Sequence, residues 1–397
     1  MTTTSSARAS LGRLHHIDSL RAYAILMMLQ GHFIDMLIDP AYRVGGHPLY
    51  ETWLFCKGFT APIFFTVTGL VLIYLIFRKE DTEYRDDRIR KAFKRGLYLI
   101  FWGYLLRANF FGMMAGQIYR EFWKIDVLHC IGIGMLTLSG LYWLCKKMPP
   151  AVFKASLLFS SIVIFLLEPI YMSFNYEGLP LGISNYLTRE NGSIFTPFPW
   201  VGYTLIGGFL GLVYVKNIHR QFGGLKILPI VLATLGFFLM QKSSWLFMQF
   251  HHASDLMVFK QVAYNNYLFI RLGHVLLFIS GFIVLEKMLS RLNLFNEIGR
   301  STLNIYILHF IVLYGSWFGL GLSTFFAKSL TPLNAILGAL LFIIGISVAA
   351  LNVDSVKGWL NEQKLIVAIS RIKKELNLSL KAALLGWSKK SVARKNS

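Results

Sequence analysis

The sequence predicts an all-α, polytopic membrane protein with about ten transmembrane helices, both termini cytoplasmic and a basic amphipathic C-terminal tail. Three observations carry that reading. Of 397 residues, 55% are hydrophobic and 15% charged, against roughly 25% charged in soluble domains. Apolar stretches of about twenty residues, enough to cross a bilayer core, recur at 18–38, 54–77, 93–114, 127–145, 151–173, 195–215, 227–248, 271–290, 302–324 and 332–353. Three quarters of the 40 Lys and Arg fall in the N-terminus, alternate loops and the tail, which the positive-inside rule assigns to the cytoplasm. The net charge of +20 is therefore read as topological, with the lipid bilayer as partner and no nucleic acid.

Residues 1–16 are rich in Ser, Thr and Arg and are expected to be a mobile cytoplasmic N-terminus. Residues 17–356 form the membrane domain and 357–397 the tail. The first apolar stretch lacks a small-residue cleavage site and is expected to stay as an anchor. It reads IDSLRAYAILMMLQGHF, with Asp18, Arg21 and His32 on one helical face because their spacings are close to whole turns. Arg21 and His32 lie about 16 Å apart along the axis. Asp18 can hold the Arg21 guanidinium from one turn away. Ionisable groups inside a span are costly and mark function.

The second span contains GFTAPIFFTVTGL, where Thr60, Pro62, Thr66, Thr68 and Gly69 predict a kink, hydroxyls and a close-packing surface. It is expected to border a cavity or to pack tightly on a neighbour. Before the third span, RKEDTEYRDDRIRKAFKR gathers Arg85, Arg88, Arg90, Lys91, Lys94 and Arg95. Such a cluster marks topology and anionic lipid contact, or grips the phosphates of a cytosolic nucleotide-like donor.

The fourth span opens DVLHCIGIGML, with Asp126 and His129 expected at the outer surface, where the carboxylate can orient the imidazole. The sixth opens FPWVGYTLIGGFLG, with Trp200 and Tyr203 at belt height and Gly207, Gly208 and Gly211 for close helix contact. The ninth, EIGRSTLNIYILHFIVLY, carries Arg300, Ser301 and Asn304 at its cytoplasmic start, then Tyr306 and a second buried imidazole, His309.

In the tail, Leu365, Ile369, Ile372, Leu376, Leu380, Ala383 and Trp387 recur at helical spacing opposite Lys364, Arg371, Lys373, Lys374 and Lys381. That pattern predicts a helix lying on the inner leaflet. Cys56, Cys130 and Cys145 sit in apolar segments without metal-ligand spacing, and no metal is expected. The sequence has no P-loop, GxGxxG or HExxH stretch, so nucleotide hydrolysis and zinc proteolysis have no support.

Five of these stretches (IDSLRAYAILMMLQGHF, FTAPIFFTVTG, DVLHCIGIGML, FPWVGYTLIGGFLG and IGRSTLNIYILHF) occur in one order from Asp18 to His309. Together they resemble the bacterial relatives of the heparan-α-glucosaminide N-acetyltransferase catalytic domain family, within the transmembrane acyltransferase superfamily. The resemblance implies a ten-helix, multi-pass enzyme of the bacterial inner membrane. It would take acetyl, or another acyl group, from cytosolic acyl-CoA and pass it to a hydroxyl or amine of a glycan or other envelope acceptor at the outer side.

Arg21 and His32 match an Arg and a His that the wider superfamily requires on its first helix. The family's lysosomal enzyme has Asn at the position of His32 and a catalytic His in the following loop, where this chain offers His47. His32 is thus the expected base or nucleophile, with His47 as the second candidate. His129, Tyr306 and His309 are expected as neighbouring or acceptor-side groups, and Arg21, Arg88 and Arg300 as the CoA-phosphate cations. A small-solute or lipid transporter is the competing reading. The sequence favours the enzyme, because cations at one mouth and a base at depth are present where paired broken helices are not.

Overall fold

The computed structural model describes residues 14–353 apart from 44, 80 and 220–223. The tail pattern from Lys364 to Trp387 lies outside the described residues, as do the first thirteen. Every regular element among the described residues is a helix. Ten longer helices follow the expected apolar stretches: α1 (His15–Leu37), α2 (Thr60–Phe77), α3 (Thr82–Arg107), α4 (Val127–Cys145), α5 (Pro150–Leu166), α6 (Pro197–His219), α7 (Gly224–Ser254), α8 (Tyr267–Val284), α9 (Thr302–Tyr314) and α10 (Pro332–Leu351). The chain forms two compact units, Met1–Ile346 and Ser347–Ser397; the site described below lies in the first.

Among the described residues six helical segments are fit by length and composition to cross a membrane, and α5 and α9 are apolar but shorter. α1 and α3 fall short of that measure because both carry charge: Asp18, Arg21 and Asp35 in α1, and the run from Glu83 to Arg95 in α3.

Pro62 does not kink a span. The second apolar stretch divides at Gly58 into a short helix, Pro48–Lys57, and α2. Pro62 then falls in the first turn of α2, where a missing N–H costs nothing. Trp200 and Tyr203 are both buried inside the protein; Trp200 stacks on Phe65 with ring centroids 5.6 Å apart, and the Tyr203 hydroxyl donates to the Leu268 carbonyl at 2.8 Å.

The tightest crossing joins α2 to α6. A Cβ on Gly69 would stand 1.9 Å from the Thr204 carbonyl oxygen, and one on Gly207 would stand 1.9 Å from that of Thr66. Small residues let membrane helices approach to backbone contact, where dispersion replaces the missing hydrophobic drive. The same device seats the short helix Asn293–Arg300 on α1, where a Cβ on Gly299 would lie 1.9 Å from the Asp18 carbonyl oxygen. Ser19 Oγ donates to Asn296 Oδ1 at 2.7 Å in that contact.

A charged latch closes the start of α1. Glu286 accepts hydrogen bonds from the backbone N–H of His16 at 2.6 Å and of His15 at 3.2 Å, and its carboxylate meets the His16 ring. Burial opposes ionisation of Glu286, but the His16 ring and these amides outweigh it and hold the carboxyl below its usual range.

Two outcomes follow. Gly207→Ala should lower the melting temperature of the detergent-solubilised protein, an overpacking cost of about 1–3 kcal/mol. Gly140→Ala, where an added Cβ meets nothing within 4 Å, should leave it unchanged or raise it; size-exclusion melts read both. A depressed carboxyl pKa gives stability that is full above the unfolded-state value and lost as pH falls through the folded one. Thermal stability should therefore drop on acidification through that range, and Glu286→Gln should flatten the dependence.

Candidate functional site

α1 and α9 are pinned together at two levels. Arg21 Nη2 donates to Thr302 Oγ1 at 2.8 Å, and His32 Nδ1 lies 3.1 Å from His309 Nε2. Thr302, Tyr306 and His309 recur at four and three residues on α9, one helical face turned toward α1. Tyr306 packs edge-on against His309 with centroids 4.8 Å apart, and His309 is fully buried.

This seam borders a cavity of about 650 Å³, within the range of small-molecule sites. One end is basic, lined by Arg21 of α1 and by Arg88, Lys91 and Arg95 of α3. The middle is apolar, lined by Ile25, Met28, Val67, Leu99, Ile131 and Met135. At the other end stand His32, Asp35, Lys57 and Thr60, with Tyr306 between the two ends. Asp18 lies one turn from Arg21, with Nη1 to Oδ1 at 3.9 Å, and is buried. Lys57 Nζ meets Asp35 Oδ2 at 2.6 Å and sits 4.7 Å from the centre of the Trp53 ring.

Of the candidate site residues named from sequence, Arg21, His32, Tyr306 and Arg88 line one cavity, and His309 lies within hydrogen-bond distance of the His32 ring. The structure does not bring in the others. His47 is exposed at the start of the helix Pro48–Lys57 and lines no part of the cavity. Arg300 also stays outside, with Nη2 3.5 Å from Glu297 Oε1 one turn back on its own helix.

Asp126 and His129 are both buried inside the protein. Asp126 caps α4 by accepting from the Leu128 N–H at 3.0 Å, its Oδ1 lies 3.0 Å from His129 Nδ1, and its Oδ2 accepts from Arg107 Nε at 3.2 Å. Arg107 in turn lies over the Phe310 ring at 5.6 Å. α3 lies directly on the imidazole, since a Cβ on Gly103 would be 2.4 Å from the His129 ring. The cluster braces α3, α4 and α9 beside the cavity, which His129 does not line.

Lys91 and Arg95 come from the cationic cluster named from sequence as a possible phosphate grip; with Arg88 they follow at three and four residues, a single helical face within the basic run. Lys57, Asp35 and Thr302 join the site without having been singled out for it. Lys57 and Asp35 meet only through tertiary packing of two helices.

Fold and cavity define a polytopic helical membrane protein with a two-ended internal site. A family model described as heparan-alpha-glucosaminide N-acetyltransferase, catalytic, matches residues 13–252, more than half the chain. The chain belongs to that family of membrane acetyltransferases. The match spans α1 to most of α7, so the α9 residues of the seam lie beyond it. No curated protein matches the chain. Among the described residues no group of three or more His, Cys, Asp or Glu is placed to hold a metal ion.

Truncating Asp126 would leave the Arg107 guanidinium buried without its partner. Asp126→Ala should cost about 3–5 kcal/mol of stability, read as a fall in melting temperature larger than that for Lys91→Ala, whose exposed pair with Asp87 is worth little.

Proposed function

We propose that the chain carries an acyl group, acetyl in the first instance, from cytosolic acyl-CoA to a hydroxyl or amine of an envelope acceptor across a bacterial inner membrane. The observation that carries this reading is a single cavity with four cations at one end and a bonded imidazole pair at the other. The basic end faces the cytoplasm, in keeping with the distribution of Lys and Arg.

CoA is long, with phosphates at one end and the thioester at the other. Arg21, Arg88, Lys91 and Arg95 suit the phosphates by charge-assisted hydrogen bonds. The apolar middle suits the pantetheine arm, and the roughly 16 Å of helix between Arg21 and His32 brings the thioester to the imidazole pair. His32 Nδ1 is engaged by His309, which leaves Nε2 as the working nitrogen. For Nε2 to take a proton, Nδ1 must hold its own and donate it to His309 Nε2; His309 thereby fixes the reactive tautomer.

His32 then removes the proton from the acceptor as its oxygen or nitrogen attacks the thioester carbonyl. The C–S bond breaks, and the proton passes to the leaving thiolate as CoA thiol. Direct attack by Nε2 on the thioester, giving an acyl-imidazole that the acceptor then cleaves, uses the same atoms in two steps.

Purified protein in nanodiscs, supplied with acetyl-CoA and glucosamine as probe acceptor, should release free thiol. His32→Ala should lower that rate by about 10²–10⁴-fold while donor binding persists. The double variant Arg88→Ala, Arg95→Ala should instead raise the KM for acetyl-CoA. Full turnover in His32→Ala, or accumulation of glucosamine inside vesicles without thiol release, would overturn the proposal.

A further inference from the structure

At the histidine end of the cavity Asp35 and Lys57 pair with each other, and the Thr60 hydroxyl is left without a role in the account above. Thr60 is the first residue of α2 and lines the cavity, yet the residue is only 7% exposed. Its Oγ is buried and has no hydrogen-bond partner among the described residues. A hydroxyl kept dry and unpaired costs about 1–3 kcal/mol, so an orphan lining a cavity marks a place for a ligand acceptor. The same turn offers more. The ladder of α2 begins with Ile63 N–H donating to the Phe59 carbonyl at 3.0 Å, and Pro62 has no N–H. The amides of Thr60 and Ala61 thus precede the ladder and sit at the positive end of an 18-residue helix. Ala61 lines the cavity as well.

This turn stands at the level of His32. The Lys57 stem, three residues before Thr60 across the break at Gly58, would lie 3.2 Å from a Cβ on Gly31, and Lys57 pairs with Asp35, so residues on both sides of His32 are in contact with this segment. Lys57 itself is engaged by Asp35 and Trp53, which leaves the Thr60 hydroxyl as the uncommitted donor at that end.

From this juxtaposition, and resting on the acyl-transfer reading, we infer that the Thr60 hydroxyl and the first amides of α2 form the oxyanion site of the reaction, binding the carbonyl oxygen of the donor thioester. As the acceptor attacks, its new bond to the carbonyl carbon pushes the C=O π pair onto oxygen. Thr60 Oγ–H donates to the resulting oxyanion, and the helix terminus adds its partial positive charge. When the pair returns, the C–S bond breaks and the thiolate takes the proton held at His32. Thr60 keeps its own proton throughout.

Thr60→Val removes the hydroxyl at nearly constant shape; Thr60→Ser restores it. In the nanodisc thiol-release assay, Thr60→Val should lower kcat about 10²–10³-fold, the loss seen on deleting one oxyanion donor. KM for acetyl-CoA, affinity for desulfo-CoA and melting temperature should stay near wild type, and Thr60→Ser should recover kcat to within a few-fold. Thr60→Val that keeps its kcat overturns the inference, as does a Val variant that loses desulfo-CoA affinity along with kcat and is not rescued by Ser. A wild-type protein that releases no thiol points instead to failure of the acyl-transfer reading.

Discussion

The polar stripe on α1 is tolerable in an apolar helix because residues from the far end of the chain meet it. Ser19 bonds to Asn296, Arg21 to Thr302 and His32 to His309, each pair separated by about 280 positions. An ionisable group in a bilayer costs several kcal/mol unless it finds a partner or water. α9 and the helix before it supply those partners, and the cavity is the space left along the seam. Gly299, against the Asp18 backbone, sets how closely the two segments approach. The site therefore depends on a contact that the first seven helices cannot make among themselves.

The opposite wall is fixed by a different force. α2 lies against α6 with backbones in contact at Gly69 and Gly207, a fit that leaves α2 little freedom to shift. Its other face, with Thr60, Phe64, Val67 and Val71, lines the cavity. One helix thus serves as rigid partner to α6 and as wall of the site. The Arg107–Asp126–His129 cluster does comparable work for α3 and α4. Close packing and buried charge hold the walls, and the lining is left to chemistry.

Much of this was legible in the chain because period and cost are local properties. Three polar groups at turn spacing on α1 placed Arg21 and His32 on one face, and both line the cavity. Glycines 69 and 207 announced close packing. The cationic cluster before α3 was named from sequence, and Arg88, Lys91 and Arg95, which share one helical face, are its members that line the cavity. What escaped was set by tertiary geometry. Arg300 sits beside Thr302 in sequence, but the break at Ser301 between two helices turns it to Glu297 and away from the cavity. The burial of Asp126 and His129 within the protein was not legible from their place before an apolar run. Arg107, nineteen residues earlier, is what permits them to be buried. Pro62 read as a kink because nothing in the local pattern announced the break at Gly58.

The long reach of the α1 seam bears on how the protein comes into being. During synthesis α1 emerges first, and its partners on α9 follow only after some 250 further residues have been made. Until then the bonds of Arg21 to Thr302 and of His32 to His309 cannot form. A chain that stops before α9 therefore has one wall of the cavity but no imidazole pair.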